Sequence, residues 1–378
     1  MWKWLRRLLA AIALLVVAVL LIPIAGLAWG FLTTPEIAVE QPATAEGPDP
    51  SQTLRAEIAN YARPEESTFL TYPEWAIVYA AREYAGFVQG YEAGRSGRAP
   101  SRFPYWSYIG RFWQDYALMI RAARGYPFSF QNHLMLVVIG TSHTIEHAVQ
   151  WSYENTVGLF TEAAGGWTPV PEDTYLAKVA GEYAAFLDQV PWYRFPYAER
   201  RGGLWVVEPA EGLAAIRSWE RKLGFGLAAT IKQAYAGLIA SGLSATSDAA
   251  LLDIHVWATG PVAEAIAGEP DTELERDLGR NGAVFVTRRY QVFTEMIPRL
   301  IEKGVRFVEI GGNRLIFVTL LADGAVQAPD GTQTVLSYTL PADPEVSRIG
   351  LVVPVARLHE ALPALAAAGA QLEHVYDY

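Results

Sequence analysis

The stretch FSFQNHLMLVVIGTSHTIEHAVQWSYENTVGLFTEAAGG, residues 128–166, holds three histidines within one helical pattern. Its apolar positions return every three or four residues and the pair Gly165-Gly166 closes it, a pattern that predicts one long helix. At 100° per residue, His133, Gly140, His143, His147 and Glu154 fall within about 80° of one another on the helix wheel. Met135, Val138, Ile145, Val149 and Tyr153 occupy the opposite side. A narrow polar stripe with three of the chain's six histidines therefore lies along a mostly apolar helix.

Inside that stripe, GTSHTIEHA (residues 140–148) spells H-x-x-E-H through His143, Glu146 and His147. This is the residue order of inverted zincins, in which two imidazoles one turn apart hold zinc and the glutamate activates a water molecule. Read as a metal centre, His143 and His147 are ligands, Glu154 and His133 on the same stripe are further donors, and Glu146 is the catalytic base. The ion would be zinc for a hydrolase or iron for an oxidoreductase. A third ligand from a downstream helix has candidates in Glu211 and Glu220, with nothing to single out either. The match covers five residues, and its surroundings do not otherwise resemble those peptidases. The plainer alternative is a set of histidines hydrogen-bonded inside a helical bundle.

Working outward, TYPEWAIVYAAREYAGFVQGYEAG, YWSYIGRFWQDYALMIRAARG, EDTYLAKVAGEYAAFLDQV and GLAAIRSWERKLGFGLAATIKQAYAGLIASG repeat the helical period. A mainly α-helical, aromatic-rich domain is expected over 54–245. Near residue 250 the texture changes to short runs rich in Val, Ile, Leu and Thr, interrupted by two helical stretches. This predicts a smaller α+β domain over 250–378, ferredoxin-like with an inserted hairpin. EIGGNRL is expected as a hairpin turn there, because it lacks the glycines and the Lys-Ser/Thr of a phosphate loop.

At the other end, Lys3, Arg6 and Arg7 precede a run from Leu8 to Leu32 without a charge. About 20 apolar residues suffice to cross a bilayer, and Trp4 and Trp29 sit where indoles favour the interface. A single transmembrane helix is expected over 1–34, followed by a Pro- and acid-rich linker over 35–53. The positive-inside rule places the N-terminus in the cytoplasm and the bulk outside the inner membrane, extracytoplasmic or periplasmic. A cleaved signal peptide is the rival reading and exports the same residues.

The net charge of −10 argues against a nucleic-acid partner, since phosphate binding needs a basic surface. The absence of cysteine excludes disulfides, thiolate-bound metals and thiol catalysis. The clusters RFPYWSYIGRFW and PWYRFPY interleave Arg with aromatic rings, a composition suited to an amphiphile or a bilayer surface. The expected function is thus an envelope protein that binds a lipid-like ligand or a membrane protein at the lipid bilayer. A metal-dependent enzyme at the membrane surface is the alternative.

Overall fold

The computed structural model describes residues 2–39, 68–243 and 253–376. The start of the expected helical domain at 54–67, the boundary near 245–250 and most of the 35–53 linker lie outside them. Among the described residues eight α-helices come first: α1 (Trp2–Thr33), α2 (Thr68–Glu92), α3 (Tyr105–Ala122), α4 (Phe130–Tyr153), α5 (Leu159–Ala164), α6 (Pro171–Leu187), α7 (Tyr197–Val206) and α8 (Ala214–Leu243). Ser129 caps α4 by accepting a hydrogen bond from the Asn132 N–H. The single helix expected over 128–166 is α4 and α5 joined by a π-helical turn, Glu154–Gly158. A Cβ at Gly158 would lie 2.4 Å from Glu154 Oε2, so glycine there leaves room for the carboxylate to fold back over the widened turn.

The remaining chain runs β1 (Asp253–Thr259), α9 (Val262–Ile266), β2 (Glu273–Asp277), β3 (Ala283–Arg288), α10 (Gln291–Glu302), β4 (Arg306–Ile310), β5 (Leu315–Ala322), β6 (Gln333–Leu340), β7 (Asp343–Pro354), α11 (Leu358–Ala367) and β8 (Gln371–Tyr376). The single ferredoxin-like unit with an inserted hairpin is corrected here. The strands divide between two four-stranded antiparallel sheets, ordered β2-β3-β1-β4 and β6-β7-β5-β8. EIGGNRL does not close a hairpin within one sheet. With Gly311 at φ 55° and Gly312 at φ 80°, it turns the chain from one sheet into the other, bridged at Ile310–Asn313.

β5 shows why the second sheet sits where it does. Its successive side chains point to opposite faces, and both faces are apolar. Ile316, Val318 and Leu320 enter a core shared with Val256, Phe285 and Phe307 of the first sheet. Leu315 and Phe317 enter another with Phe69 and Tyr72 of α2 and Phe112 of α3. The Phe317 ring lies 5.4 Å from that of Tyr72, edge on. The second sheet is therefore wedged between the first sheet and the helices.

The expected membrane anchor over 1–34 is also corrected. Among the described residues no helix is long and apolar enough to cross a membrane. The single-pass topology, the cytoplasmic N-terminus and the inner-membrane, extracytoplasmic placement deduced from it fall with the anchor. In place of lipid, the second half of α1 meets α3. A Cβ at Gly26 would lie 2.3 Å from the Trp113 indole and one at Gly30 2.2 Å from the Trp113 carbonyl oxygen. Ile22 and Leu27 pack on the core beside Trp113. Arg121 Nη2 donates to the Phe31 carbonyl at 2.9 Å, closing the helix end.

Candidate functional site

The H-x-x-E-H helix is turned inside out. α4 buries Leu136, Gly140, His143 and His147, while Leu134, Val138, Ile145 and Val149 are exposed. Gly140 makes the inward contact possible, because a Cβ there would come within 2.2 Å of the Phe112 ring on α3. The close approach of α3 sets aromatic rings beside both imidazoles. His143 lies 5.6 Å from the Phe112 ring, and His147 stacks on Tyr108 with 6.1 Å between centroids. The two imidazoles are 4.0 Å apart. His147 Nδ1 lies 3.0 Å from the His143 carbonyl oxygen, so that nitrogen carries the proton and donates, leaving Nε2 as the acceptor. Burial, and then the neighbouring His147, pull His143 down to about 3. Burial lowers His147 as well, against the pull of Glu146. Both imidazoles are neutral at pH 7, the state in which imidazole binds metals or accepts protons.

The other residues of the expected centre have different partners. Glu146 is partly exposed and forms an ion pair with Lys232 of α8. Desolvation raises its carboxyl, but the Lys232 ammonium beside it more than offsets this and holds it below the ordinary glutamate value. Glu154, two turns beyond His147, is clamped by Arg221, whose Nη1 and Nη2 donate to its two oxygens at 2.8 and 2.9 Å. His133, nearly three turns before His143, pairs through Nδ1 with the Tyr116 hydroxyl at 2.9 Å and stacks on Phe128. Glu211 is exposed before α8, and Glu220 is bound by Arg217 and Arg221. The structure thus brings His143 and His147 together and places His133 and Glu154 apart from them. Among the described residues no group of three or more His, Cys, Asp or Glu side chains is arranged to hold a metal ion.

Two buried polar assemblies flank the histidines. In the first, Arg217 on α8 is fully buried and donates to Asp173, Glu162 and Glu220, while Arg221 beside it holds Glu154 and Glu220. Each oxygen of these four carboxylates accepts at least one hydrogen bond, with Ser101, Tyr153, Thr161 and the Val170 N–H completing the set. The second surrounds a cavity of about 20 Å³ where α2, α3 and α4 meet the second sheet. Arg348 of β7 is its centre. Its Nε and Nη2 each donate to Glu373 at 2.7 Å, Nη2 also donates to Glu83 at 2.9 Å, and Nη1 donates to the Tyr338 hydroxyl at 2.9 Å. On α3, Arg111 and Asp115 also line the cavity, four residues apart, and His143 closes one side.

A signal for the first assembly was present in RSWERKLGF. Arg217, Glu220 and Arg221 share one helix face by their i, i+3, i+4 spacing, while Ile216, Trp219 and Leu223 form another. Which face is buried is a tertiary matter. Comparison with family models, with curated proteins and with solved structures returns no match.

Proposed function

We propose that this protein binds a lipid surface through the outward apolar faces of α1, α4 and α8. The observation that carries this reading is the distribution of large exposed apolar side chains. Among the described residues, those in 253–376 come down to Leu274, whereas the helices present Leu20, Leu21 and Ile24 on α1, Leu134, Val138 and Val149 on α4, and Leu223, Leu227 and Ile231 on α8. The same helices bury His143, His147, Arg217, Glu220 and Arg221. Charged groups inside and apolar groups outside is an arrangement that suits helices laid with their apolar faces against the headgroup–acyl boundary. Exposed indole pairs, Trp106–Trp151 and Trp205–Trp219, supply rings suited to the headgroup layer. In-plane contact of this kind needs no spanning helix.

The acidic balance of the chain argues for apolar insertion rather than attraction to anionic headgroups. The expected result is therefore that the full-length protein floats with zwitterionic phosphatidylcholine vesicles and that raising the anionic lipid fraction does not strengthen binding. Trp fluorescence should shift to shorter wavelength on binding, and Leu223→Glu with Leu227→Glu should abolish flotation. A protein that stays monodisperse without detergent and does not float with either vesicle would overturn the reading.

A further inference from the structure

We propose that the cavity between α2, α3 and the second sheet is a proton-binding site in which the Asp115 carboxyl holds a proton, taken from water, at neutral pH. The first observation is the count of charges in the Arg348 assembly. Glu83, Asp115 and Glu373 face two guanidiniums, Arg111 and Arg348, so the fully ionised set keeps one negative charge. All but Arg111 are nearly or fully buried, and an uncompensated anion in such a place is costly. Capturing one proton removes that charge.

The second observation identifies the carboxyl. Glu373 receives two hydrogen bonds from Arg348, and Glu83 receives one from Arg348 and one from the Tyr108 hydroxyl. Asp115 Oδ2 accepts from the Tyr72 hydroxyl at 3.1 Å. Its Oδ1 lies 2.8 Å from Arg111 Nη2, outside hydrogen-bonding geometry, and has no hydrogen-bond partner. This is the contrast with the Arg217 assembly, where every carboxylate oxygen accepts a hydrogen bond. Asp115 lines the cavity, whose volume admits one water molecule to accept from a protonated Oδ1. The Tyr72 hydroxyl also meets the Tyr338 hydroxyl at 2.9 Å, which connects Asp115 to Arg348 and so to Glu83 through one chain of hydrogen bonds.

No other facing group supplies the missing positive charge: Arg82 of α2, which also acts on Glu373, is matched by its ion pair with Asp188 at 2.7 Å and leaves the count unchanged. His143 of α4 is held neutral, and the hydroxyls of Tyr72 and Tyr79 on α2, Tyr108 on α3, Tyr338 on β6 and Tyr376 on β8 are pushed up by burial and stay protonated. Burial raises both the Asp115 and the Glu83 carboxyls above their ordinary values despite the neighbouring guanidiniums, in agreement with the count, and the hydrogen-bond pattern assigns the proton to Asp115.

The test is infrared spectroscopy of the full-length protein at pH 7 with solvent exchange into deuterium oxide. A band from a protonated carboxyl group, shifted by deuterium and by carbon-13 labelling of aspartate but not of glutamate, is expected in the unmodified protein and should be lost in Asp115→Asn. Because the amide mimics the neutral acid, Asp115→Asn should keep the thermal midpoint at pH 7 within a few degrees. Absence of the band in the unmodified protein, or its survival in Asp115→Asn, would overturn the proposal. So would a midpoint that rises with sodium chloride and not with choline chloride at equal ionic strength, since the cavity would then hold a metal cation.

Discussion

On α8, Arg217, Glu220 and Arg221 point inward while Ile216, Trp219 and Leu223 point out. On β5, Ile316, Val318 and Leu320 point into one apolar core and Leu315 and Phe317 into another. The helical region is thus held internally by charges that satisfy one another, as well as by aromatic packing. The sheet region is held by the removal of aliphatic surface from water. The difference teaches that burial does different work in the two parts of one chain, pairing charges in the helices and removing aliphatic surface from water in the sheets. An apolar residue on the outside of α8 contributes little to folding in water, and an arginine on its inside contributes much.

The comparison breaks most readily at its two centres. Phe307→Ala in the sheet core should cost about 3–5 kcal/mol, the usual loss for emptying a buried phenylalanine site. Arg217→Ala should cost a similar amount, about 3–5 kcal/mol, because it leaves Asp173, Glu162 and Glu220 short of donors in the interior. Both are read from urea unfolding midpoints; an Arg217 variant as stable as the parent would show that the charge network does not hold the helices. Gly140→Ala is a smaller challenge to the same region. Its methyl group meets the Phe112 ring at 2.2 Å, and overpacking of that kind costs about 1–3 kcal/mol, with a matching fall in thermal midpoint.

Acid sharpens the comparison because each region buries a neutral histidine. His143 among the helices is pulled to about 3 by burial and His147, and His374 in β8 is pulled to about 3 by burial and Arg82. Below the ordinary value of 6.5 the unfolded chain binds protons that the folded chain refuses. The stability is therefore complete above pH 6.5 and is lost as pH falls toward 3, by up to about 1.4 kcal/mol per pH unit for each imidazole. His143→Gln should remove one such share of the slope between pH 6 and pH 4, measured against the parent by denaturant titration. Smallest of all is the expected effect of Leu223→Ser on α8. In water it should change stability by no more than about 0.5 kcal/mol, as for an ordinary surface position, while vesicle flotation weakens.

Much of the helical architecture was legible because period and punctuation are local. The pair Gly165-Gly166 marks an end that the structure confirms, with Gly166 left-handed at φ 70°. The pairing of His143 with His147 was legible for the same reason, since i, i+4 spacing on a helix fixes proximity without tertiary information. The partners of Glu154 and Glu146 were not legible. Arg221 and Lys232 lie 67 and 86 residues further along the chain, and no local pattern reports such pairings. The apolar run at the N-terminus misled for a related reason. Hydropathy counts side chains without asking what covers them, and Gly26 and Gly30 turn one side of that run toward Trp113.

By itself, then, the sequence determined that a helical region precedes a strand-rich one, which helix carries paired imidazoles, and that this helix has one polar and one apolar side. Those properties follow from backbone periodicity and side-chain chemistry within a few turns. Only the tertiary structure decided which face of α4 and α8 is inside, how the strands divide between two sheets, and that Asp115 and Arg348 meet around one cavity. Each of these depends on contacts between residues far apart in the chain, where the free energy of burying one charge depends on whether another is there to meet it.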